Sequence, residues 1–373
     1  MKSFLRIILL FEGIDVNLYQ NTVYTLLSLT KNTMKRMKKK IVSMLLGAMA
    51  SMGISAQEAY IFTSFCEPST DGMRYLYSYD GLKWESIPGV WMKPELGNEE
   101  AYVDAFTGES VLPTFAPEEK VLRDPSITQG PDGTFHLVWT TQWFGSKGFG
   151  LAHSKDLIHW TKQVEIPVMK NFETNNVWAP EIFYDDELKE FFIIWSSMIN
   201  PKHRTSADNK GTNSAHRMWY TTTKDFKRFS EAKPYYDPGF NSIDGYLIKR
   251  AQKDYVLIVK DNRKPGFSNL FCAFSDSPHG PFHTADNAPR GKTPSTTFGR
   301  TYSEGPCAVK LGNEWIIYFD QYHPQEYGAV STTDFRTFTP IQNRIKVPET
   351  HKHGTIVKVK KEILDNLLKH AGK

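Results

Sequence analysis

A short motif recurs five times along the chain, an aspartate followed a few residues later by an aromatic side chain. Successive aspartates of the motif lie 51 to 76 residues apart, roughly the length of a four-stranded propeller blade with its loops. Such spacing is typical of a fold built from repeated units that pack against their neighbours. The copies are SYDGLKW at Asp80, SKDLIHW at Asp156, TKDFKRF at Asp225, SDSPHGPF at Asp276 and TTDFRTF at Asp334.

Alternating runs rich in aromatic and β-branched residues precede these motifs and predict strands, for example TFHLVWTT, EFFIIWSS, DYVLIVKD and EWIIYFD. Four units also begin with a complete first strand: RDPSITQ, WAPEIFYD, IDGYLIKR and EGPCAVKL. The N-terminal unit starts at AYIFTSF and lacks one, whereas the C-terminal segment KHGTIVKV is a lone strand. We therefore predict an all-β, five-bladed β-propeller, closed by the C-terminal strand joining the N-terminal blade. Such closure leaves no unprotected sheet edge.

The N-terminal part of the chain has the pattern of a targeting segment. From Met37 the sequence reads MKKKIVSMLLGAMASMGISAQ, a basic stretch, a short apolar run and small residues that end at Ala56. This is typical of a signal peptide, and the apolar run is shorter than the ~20 residues of a membrane-spanning helix. We expect residues 1–36 to be a mis-assigned upstream extension, residues 37–56 a cleaved signal peptide of an exported protein (periplasmic or secreted), and residues 57–373 a single propeller domain. A real N-terminal extension with a role near the membrane is the alternative.

Charge and cysteine content narrow the classes of partner. Formal net charge is +4, and the basic residues between Lys35 and Lys40 contribute much of it. The rest of the chain is close to neutral, so nothing favours binding to nucleic acid or to an anionic membrane. The cysteines Cys66, Cys272 and Cys307 show no paired spacing, which favours buried thiols over a zinc site or a disulfide framework. We expect a monomer, because a closed propeller needs no partner for stability.

Acidic residues beside proline or glycine stand where four of the first strands begin, and the fifth begins with a histidine. In a propeller the first strands line the central channel, and their starts share one face with the loops between second and third strands. One such acid is more often a solvated loop end. Several that converge would repel one another, and such clusters bind a cation or perform acid–base chemistry. The residues are Asp124, Glu181, Asp244, Glu304 and His353.

The loops between second and third strands add side chains suited to a sugar. Trp143 and Phe144 lie in TQWFG, Arg263 in KDNRKPG and Tyr322 in FDQY. Aromatic rings stack on sugar rings, and the polar groups hydrogen-bond to hydroxyls. Core packing is the alternative for each ring, and for Phe144 the two alternatives are equally open.

The order of the motifs RDPSI, VWAPEI, SIDGY, SEGP and HGT resembles glycoside hydrolase family 43. The resemblance runs from about Ala59 to the C-terminal helix, and it rests on the order and spacing of motifs that are each weak alone. It implies a five-bladed propeller that hydrolyses O-glycosyl bonds with inversion. Retaining propeller hydrolases of sucrose and fructan also carry Arg-Asp-Pro, but this chain lacks their Asn-Asp-Pro and Glu-Cys motifs.

The resemblance also implies roles for single residues. The general base of the family falls on Asp124, its orienting and pKa-tuning aspartate on Asp244 and its general acid on Glu304. Glu181 falls on a position that shapes the site, and His353 on a channel histidine that approaches a cation or water in some members. The family often has proline after the orienting aspartate, where this chain has glycine. We expect the Asp244 carboxylate to raise the pKa of Glu304 by like-charge repulsion, so that Glu304 keeps its proton near neutral pH.

Substrate and cofactor are less closely defined by these residues. Family members act mainly on α-L-arabinofuranosides and β-D-xylosides, with some on galactosides. Long insertions at residues 85–120, 200–216 and 288–300 would wall in a pocket and favour removal of terminal sugars, unless they decorate the opposite face. We expect an α-L-arabinofuranosidase; the alternatives are a β-D-xylosidase or galactosidase and a non-catalytic carbohydrate-binding propeller. The reaction requires no cofactor, and a structural calcium ion near His353 is the one cation that the resemblance suggests.

N-terminal sequencing tests the expected processing. The precursor should begin at Met37 and the exported protein at Gln57, because signal peptidase cleaves after small residues such as Ala56. A mature protein that retains residues 1–36 would contradict both expectations.

Overall fold

The computed structural model describes residues 58–96, 102–103, 110–111, 120–143, 145–174, 176–198, 216–263, 269–300, 302–322 and 325–372. Within these ranges the chain is almost entirely β-structure, with one helix after the last strand. In chain order the strands are β1 Glu58–Ser64, β2 Met73–Ser78, β3 Glu85–Met92, β4 Tyr102–Val103, β5 Ser110–Val111, β6 Arg123–Gln129, β7 Phe135–Thr140, β8 Phe149–Ser154, β9 Val164–Ile166, β10 Trp178–Asp185, β11 Glu190–Met198, β12 His216–Thr223, β13 Lys233–Tyr236, β14 Ser242–Ala251, β15 Asp254–Asp261, β16 Leu270–Ser275, β17 His283–Thr284, β18 Ser303–Leu311, β19 Glu314–Tyr322, β20 Gln325–Thr332, β21 Thr339–Pro340 and β22 Ile356–Lys360, and the helix α1 is Lys361–Ala371.

The strands form five four-stranded antiparallel sheets, which are the blades of the predicted β-propeller. Blade 1 has the order β22-β1-β2-β3, blade 2 β6-β7-β8-β9, blade 3 β10-β11-β12-β13, blade 4 β14-β15-β16-β17 and blade 5 β18-β19-β20-β21. The first strands of neighbouring blades contact one another, so they surround the centre. The five-bladed architecture is therefore confirmed.

Blade 1 is built from both ends of the described chain. Strand β22 pairs antiparallel with β1, with Lys360 opposite Glu58 and Ile356 opposite Phe62. This pairing is the predicted closure, and it covers the edge that β1 would otherwise expose. Helix α1 then buries Leu364 and Leu367 against the apolar cluster between blades 1 and 2.

The core is divided among the blade interfaces. Each of the five interfaces holds its own cluster of buried apolar side chains, because alternate residues of a strand face the two neighbouring blades. Large rings fill these spaces; Trp84 of blade 1 meets Tyr318 of blade 5 edge-on with 5.9 Å between ring centroids. Stability is therefore shared around the ring.

The recurring motif is the turn between the third and fourth strands of each blade. In four copies the aspartate accepts hydrogen bonds of 2.8–3.1 Å from two following backbone N–H groups. A Ser or Thr two residues earlier accepts a further backbone N–H. The copy at Asp276 differs, since Ser275 and Ser277 accept the backbone bonds there. The aspartates repeat because the turn needs a short side-chain acceptor.

The predictions for the cysteines, the insertions and the N-terminal segment can be compared with the described residues. Cys272 and Cys307 are buried as expected, whereas Cys66 is partly exposed, and none of the three is in a disulfide. The segment expected to be an insertion at residues 85–120 begins with the outer strand β3, and β4 pairs with β5 inside it. The signal peptide, residues 1–36 and most of the segment 200–216 lie outside the described ranges. The one described helix is too short and too polar to cross a membrane.

Substitution of Gly354 tests the closure of the ring. A Cβ at this position would lie 1.8 Å from the carbonyl oxygen of Thr63, so Gly354→Ala must push β22 away from β1. We expect a loss of about 2–4 kcal/mol in the free energy of unfolding, measured by urea titration. Gly372→Ala is the matched control, because its nearest neighbour lies at 3.6 Å and its change should stay within about 0.5 kcal/mol. Equal stability of the two variants would contradict the close approach.

Candidate active site

The first strands of blades 2 to 5 each carry a β-bulge near their start. The register of the ladder shifts at this point in all four strands. One residue of each bulge has a left-handed backbone conformation, which aspartate and glycine adopt more readily than other residues. Bulges are common beside active sites, where they re-aim side chains. The left-handed residues are Asp124 at φ 52°, Ala179 at φ 46°, Asp244 at φ 54° and Gly305 at φ 55°.

The four predicted acids do not occupy equivalent positions in their bulges. Asp124 and Asp244 are themselves the left-handed residues. Glu304 lies one residue before this position in its strand, and Glu181 lies two residues after it. Their carboxyl groups therefore start from different positions relative to the bulge and contact different neighbours.

Asp124 forms an ion pair with His353. One carboxylate oxygen lies 3.1 Å from His353 Nδ1, and the other accepts a 2.7 Å hydrogen bond from the Thr140 hydroxyl. Burial acts to raise the pKa of Asp124, but the His353 charge and these hydrogen bonds outweigh it and hold the pKa at about 2. Burial acts to lower the pKa of His353, and the Asp124 charge outweighs it and raises the pKa to about 10. Both groups are therefore ionised near neutral pH.

Glu304 is bound by a lysine that the sequence analysis did not identify. Lys260, near the end of β15, donates a 2.7 Å hydrogen bond to Glu304 Oε2. Burial acts to raise the pKa of Glu304, but the charge of Lys260 outweighs it and lowers the pKa. The expectation that Asp244 would raise the pKa of Glu304 is therefore wrong. The signal for Lys260 was its place one residue before Asp261, at the channel end of a second strand.

Asp244 lies between the blades of the predicted base and acid. Its Oδ2 accepts the Gly305 backbone N–H at 3.2 Å, directly beside Glu304 in the chain. Burial raises the pKa of Asp244; the charges of His353 and Lys260 oppose this rise, and the other carboxylates add to it. Since the pKa of Asp244 is raised and that of Glu304 is lowered, Asp244 is protonated more readily than Glu304.

Two further carboxyl groups are buried at the same end of the channel. Glu181 accepts a 2.6 Å hydrogen bond from the Ser126 hydroxyl, and burial raises its pKa to about 8. Asp320 lies opposite Glu304 in the β18–β19 ladder and accepts the His353 backbone N–H at 2.9 Å. Burial raises the pKa of Asp320 to about 7. Protonation of these groups reduces the repulsion within the cluster.

Aromatic residues form the rim of the site. Trp143 is 44% exposed, and the guanidinium of Arg123 lies 3.9 Å from its ring centroid. Tyr322 lies 4.8 Å from the Lys260 ammonium, and its ring is 5.0 Å from that of Tyr302, which is 41% exposed. Tyr302 was not identified from sequence, although its place two residues before Glu304 puts it at this face. The rim therefore has one aromatic ring near the predicted base, Asp124, and two near the predicted acid, Glu304.

Arg263 lies at the same face but in a buried setting. It forms an ion pair with Asp261 and donates hydrogen bonds to the Gly291 carbonyl at 3.0 Å and the Thr293 hydroxyl at 2.8 Å. These contacts tie the segment at residues 288–300 to the end of β15, so this predicted insertion reaches the channel mouth. A sugar contact of Arg263 stays a prediction, and Phe144 lies outside the described residues.

A cation near His353 also stays a prediction. Within the described residues no group of three or more His, Cys, Asp and Glu side chains is arranged to hold a metal ion. The raised pKa of His353, to about 10, keeps its imidazole charged, and a charged imidazole offers no lone pair to a metal. In this state the charge of the ring itself balances the neighbouring carboxylates.

Comparison with known proteins agrees with this architecture. Residues 56–365 match the sequence model of a family related to glycoside hydrolase family 43, described as "Probable glycosyl hydrolase domain". The chain belongs to this family of glycosyl hydrolases. It is 27% identical over 190 residues to an α-L-arabinofuranosidase of Bifidobacterium longum, and the match covers 41% of this chain and 17% of that protein's length.

Similar solved structures share little sequence identity with this chain. An exo-1,5-α-L-arabinanase from a bovine ruminal metagenomic library superimposes with a TM-score of 0.50 at 14% identity, over 77% of this chain and 93% of that one. An α-L-arabinanase of Cellvibrio cellulosa superimposes with a TM-score of 0.48 at 14% identity, over 78% and 95% of the two chains.

The ion pair of His353 predicts a pH dependence of stability. The pKa of His353 is raised from 6.5 to about 10 on folding, so its contribution is complete below about pH 6.5 and is lost as pH rises toward 10. Urea unfolding of the wild type should therefore show a free energy of unfolding that falls with pH across this window, by up to about 1.4 kcal/mol per unit from this group. His353→Gln should remove that contribution.

An exposed histidine serves as the control for this prediction. His159 lies in the turn between the third and fourth strands of blade 2, where it forms an ion pair with Asp156, and His159→Gln measures the effect of replacing a histidine away from the channel mouth. The same slope in His353→Gln and the wild type would show that His353 is not charged by its neighbours.

Proposed function

We propose that this chain is an inverting glycosidase that removes terminal sugars, with α-L-arabinofuranosides as the first candidate substrates. The observation that carries the proposal is the convergence of an ionised Asp124 and an accessible Glu304 on one channel mouth, in a chain that belongs to a glycosyl hydrolase family. Their strands belong to blades 2 and 5, which are not adjacent in the chain. An inverting enzyme needs such a separated pair, ~6.5–9.5 Å apart, to leave room for water.

Asp124 is suited to the role of general base. Its low pKa, about 2, keeps it ionised, and the Thr140 hydroxyl fixes one of its oxygens. In the proposed reaction Asp124 takes a proton from a water molecule as the water oxygen bonds to the anomeric carbon. The charge of His353 keeps the carboxylate ionised, and it also makes the carboxylate a weaker base.

Access favours Glu304 as the general acid. Glu181 and Asp320 have raised pKa values, which suit a proton donor, but both are buried. The side chain of Glu304 is 25% exposed, so it can reach a glycosidic oxygen in the channel. In the proposed reaction Glu304 donates its proton to this oxygen as the bond to the anomeric carbon breaks. Since its pKa is lowered, we expect activity to be higher at acidic pH.

Asp244 is suited to orient the acid. It accepts the backbone N–H of Gly305, the residue that follows Glu304, and thereby fixes the bulge from which Glu304 projects. It also lies close enough to Glu304 for the two ionisations to influence each other. These contacts support the orienting role that the family resemblance implies.

Two observations favour an arabinofuranoside as the substrate. The aromatic rim at Trp143, Tyr302 and Tyr322 suits sugar rings, and the relative from Bifidobacterium longum is an α-L-arabinofuranosidase. β-D-Xylosides and galactosides are the alternative substrates within the family. A propeller that only binds carbohydrate is the alternative outside catalysis.

Variants of the two carboxylates separate their proposed roles. Glu304→Gln should lower kcat/KM on oligosaccharides by ~10²–10⁴-fold, and far less on aryl glycosides whose leaving groups need no proton. Asp124→Asn should lower both by a similar large factor, since the attacking water always needs a base. Glu231→Gln changes an exposed glutamate between β12 and β13, at the end of blade 3 away from the channel mouth; it is the matched control and should keep wild-type activity.

The product and the substrate panel complete this test. NMR of the fresh product should show the inverted anomer, and a retained anomer would contradict the proposed reaction. The panel contains aryl α-L-arabinofuranoside, β-D-xyloside and β-D-galactoside, and the best substrate identifies the sugar. A folded protein that binds sugars but cleaves none of these and no natural oligosaccharide would instead support the carbohydrate-binding alternative.

A further inference from the structure

We propose that Lys260 is a positioning residue for the proton donor: it binds Glu304 Oε2, so that Oε1 delivers the proton, and its charge stabilises the carboxylate left after the transfer. The inference rests on the proposed glycosidase function for its catalytic meaning. The contact on which it is built can be tested without any activity.

The contact is short and enclosed. The Lys260 side chain is 2% exposed, and its ammonium donates to Glu304 Oε2 at 2.7 Å. Lys260 lies opposite Ile243 in the β14–β15 ladder, directly beside the Asp244 bulge. The ring of Tyr322 covers the ammonium at 4.8 Å from its centroid, an attractive cation–π arrangement. A lysine held by a ladder strand and an aromatic face has little freedom to leave Glu304.

Lysine is rarely buried, because removal of its charge from water is costly. Burial acts to lower the pKa of Lys260, but the carboxylates of Glu304 and Asp244 outweigh it and raise the pKa. The ammonium therefore stays charged at this depth. A buried charge with such close partners acts strongly on them, since little water screens it.

The hydrogen bond distinguishes the two oxygens of Glu304. An ammonium has donors only, so the oxygen that it binds must act as the acceptor. When Glu304 takes up a proton, the proton must sit on Oε1. In the proposed reaction the O–H bond at Oε1 breaks and the proton bonds to the glycosidic oxygen. The negative charge that remains is delocalised over Oε1 and Oε2, and the Lys260 ammonium stabilises it. No proton leaves Lys260 in this step.

Other titratable groups surround the pair. Strand β14 contributes a carboxyl group, β19 a carboxyl and a phenol, and the segment before β22 two cations. These groups are Asp244, Asp320, Tyr322, Lys352 and His353. Of the two cations, His353 is engaged with Asp124 through its ring and with Asp320 through its backbone N–H.

Direct titration of Glu304 in the wild-type protein is the first test. The carboxyl ¹³C signal of Glu304, identified by its loss in Glu304→Gln, should titrate below the usual pKa of about 4.3. Titration at or above this value would overturn the inference, whether or not the enzyme is active. Low titration in a protein with no glycosidase activity would instead overturn the proposed function and leave the Lys260 contact intact.

Variants of Lys260 then test its catalytic meaning through the pH profile. In Lys260→Met the alkaline limb of kcat/KM should move up by about one pH unit or more, because an opposite charge beside a carboxylate lowers its pKa by ~1–3 units. Lys260→Arg keeps the charge and should return the limb toward its wild-type position. A limb that stays in place in folded Lys260→Met, with activity lowered equally at all pH values, would assign Lys260 a structural role only.

Lys249→Met is the matched control for this experiment. Lys249 lies on β14 near the opposite end of the blade, where it forms ion pairs with Asp186 and Glu187. Its loss should leave the pH profile of kcat/KM unchanged. If Lys260→Met does not fold, the comparison of Lys260→Arg with the wild type and the titration of Glu304 still decide between the outcomes.

Discussion

The pairing of β22 with β1 is the contact on which the rest of the structure depends. It joins the two ends of the described chain into blade 1 and closes the ring. It also carries His353 to the channel mouth, where the ring binds Asp124 of blade 2 and the backbone N–H binds Asp320 of blade 5. The segment that closes the ring therefore also completes the site. Gly354 makes this approach possible, because any side chain there would meet the Thr63 carbonyl.

Charge balance is the second constraint at the mouth. Carboxyl groups from four blades lie near one another, and all of them could not be ionised without strong repulsion. His353 and Lys260 each pair with one carboxylate, and the raised pKa values of Glu181 and Asp320, about 8 and about 7, favour their neutral forms. The same division separates the chemical roles, since an ionised base and a proton donor need different surroundings.

The bulges explain how neighbouring blades hold these carboxyl groups in place. Left-handed conformations of residues other than glycine cost about 1–3 kcal/mol each unless the surroundings fix them. Here the N–H groups of Ala179 and Asp244 donate to the hydroxyls of Thr140 and Ser196 in the preceding blade, and that of Gly305 donates to Asp244. Blades 2, 3 and 4 therefore each orient the blade that follows. A rigid site of this kind suits chemistry that depends on the spacing of two carboxylates.

The sequence by itself determined the repeat, the number of blades, the closing strand and the acids at the starts of the first strands, because these follow from local turn chemistry and strand alternation along the chain. It could not determine which acid keeps its proton. Asp124, Asp244 and Glu304 look alike as acids beside proline or glycine, yet Glu304 lies one residue earlier in its bulge than the two aspartates, and the cations that bind Asp124 and Glu304 come from distant parts of the chain. In the sequence Lys260 looks like an ordinary strand residue, and only the folded structure shows that it is buried against Glu304. Only the tertiary structure decided the protonation pattern, since burial and the distance to a charge are properties of the folded chain.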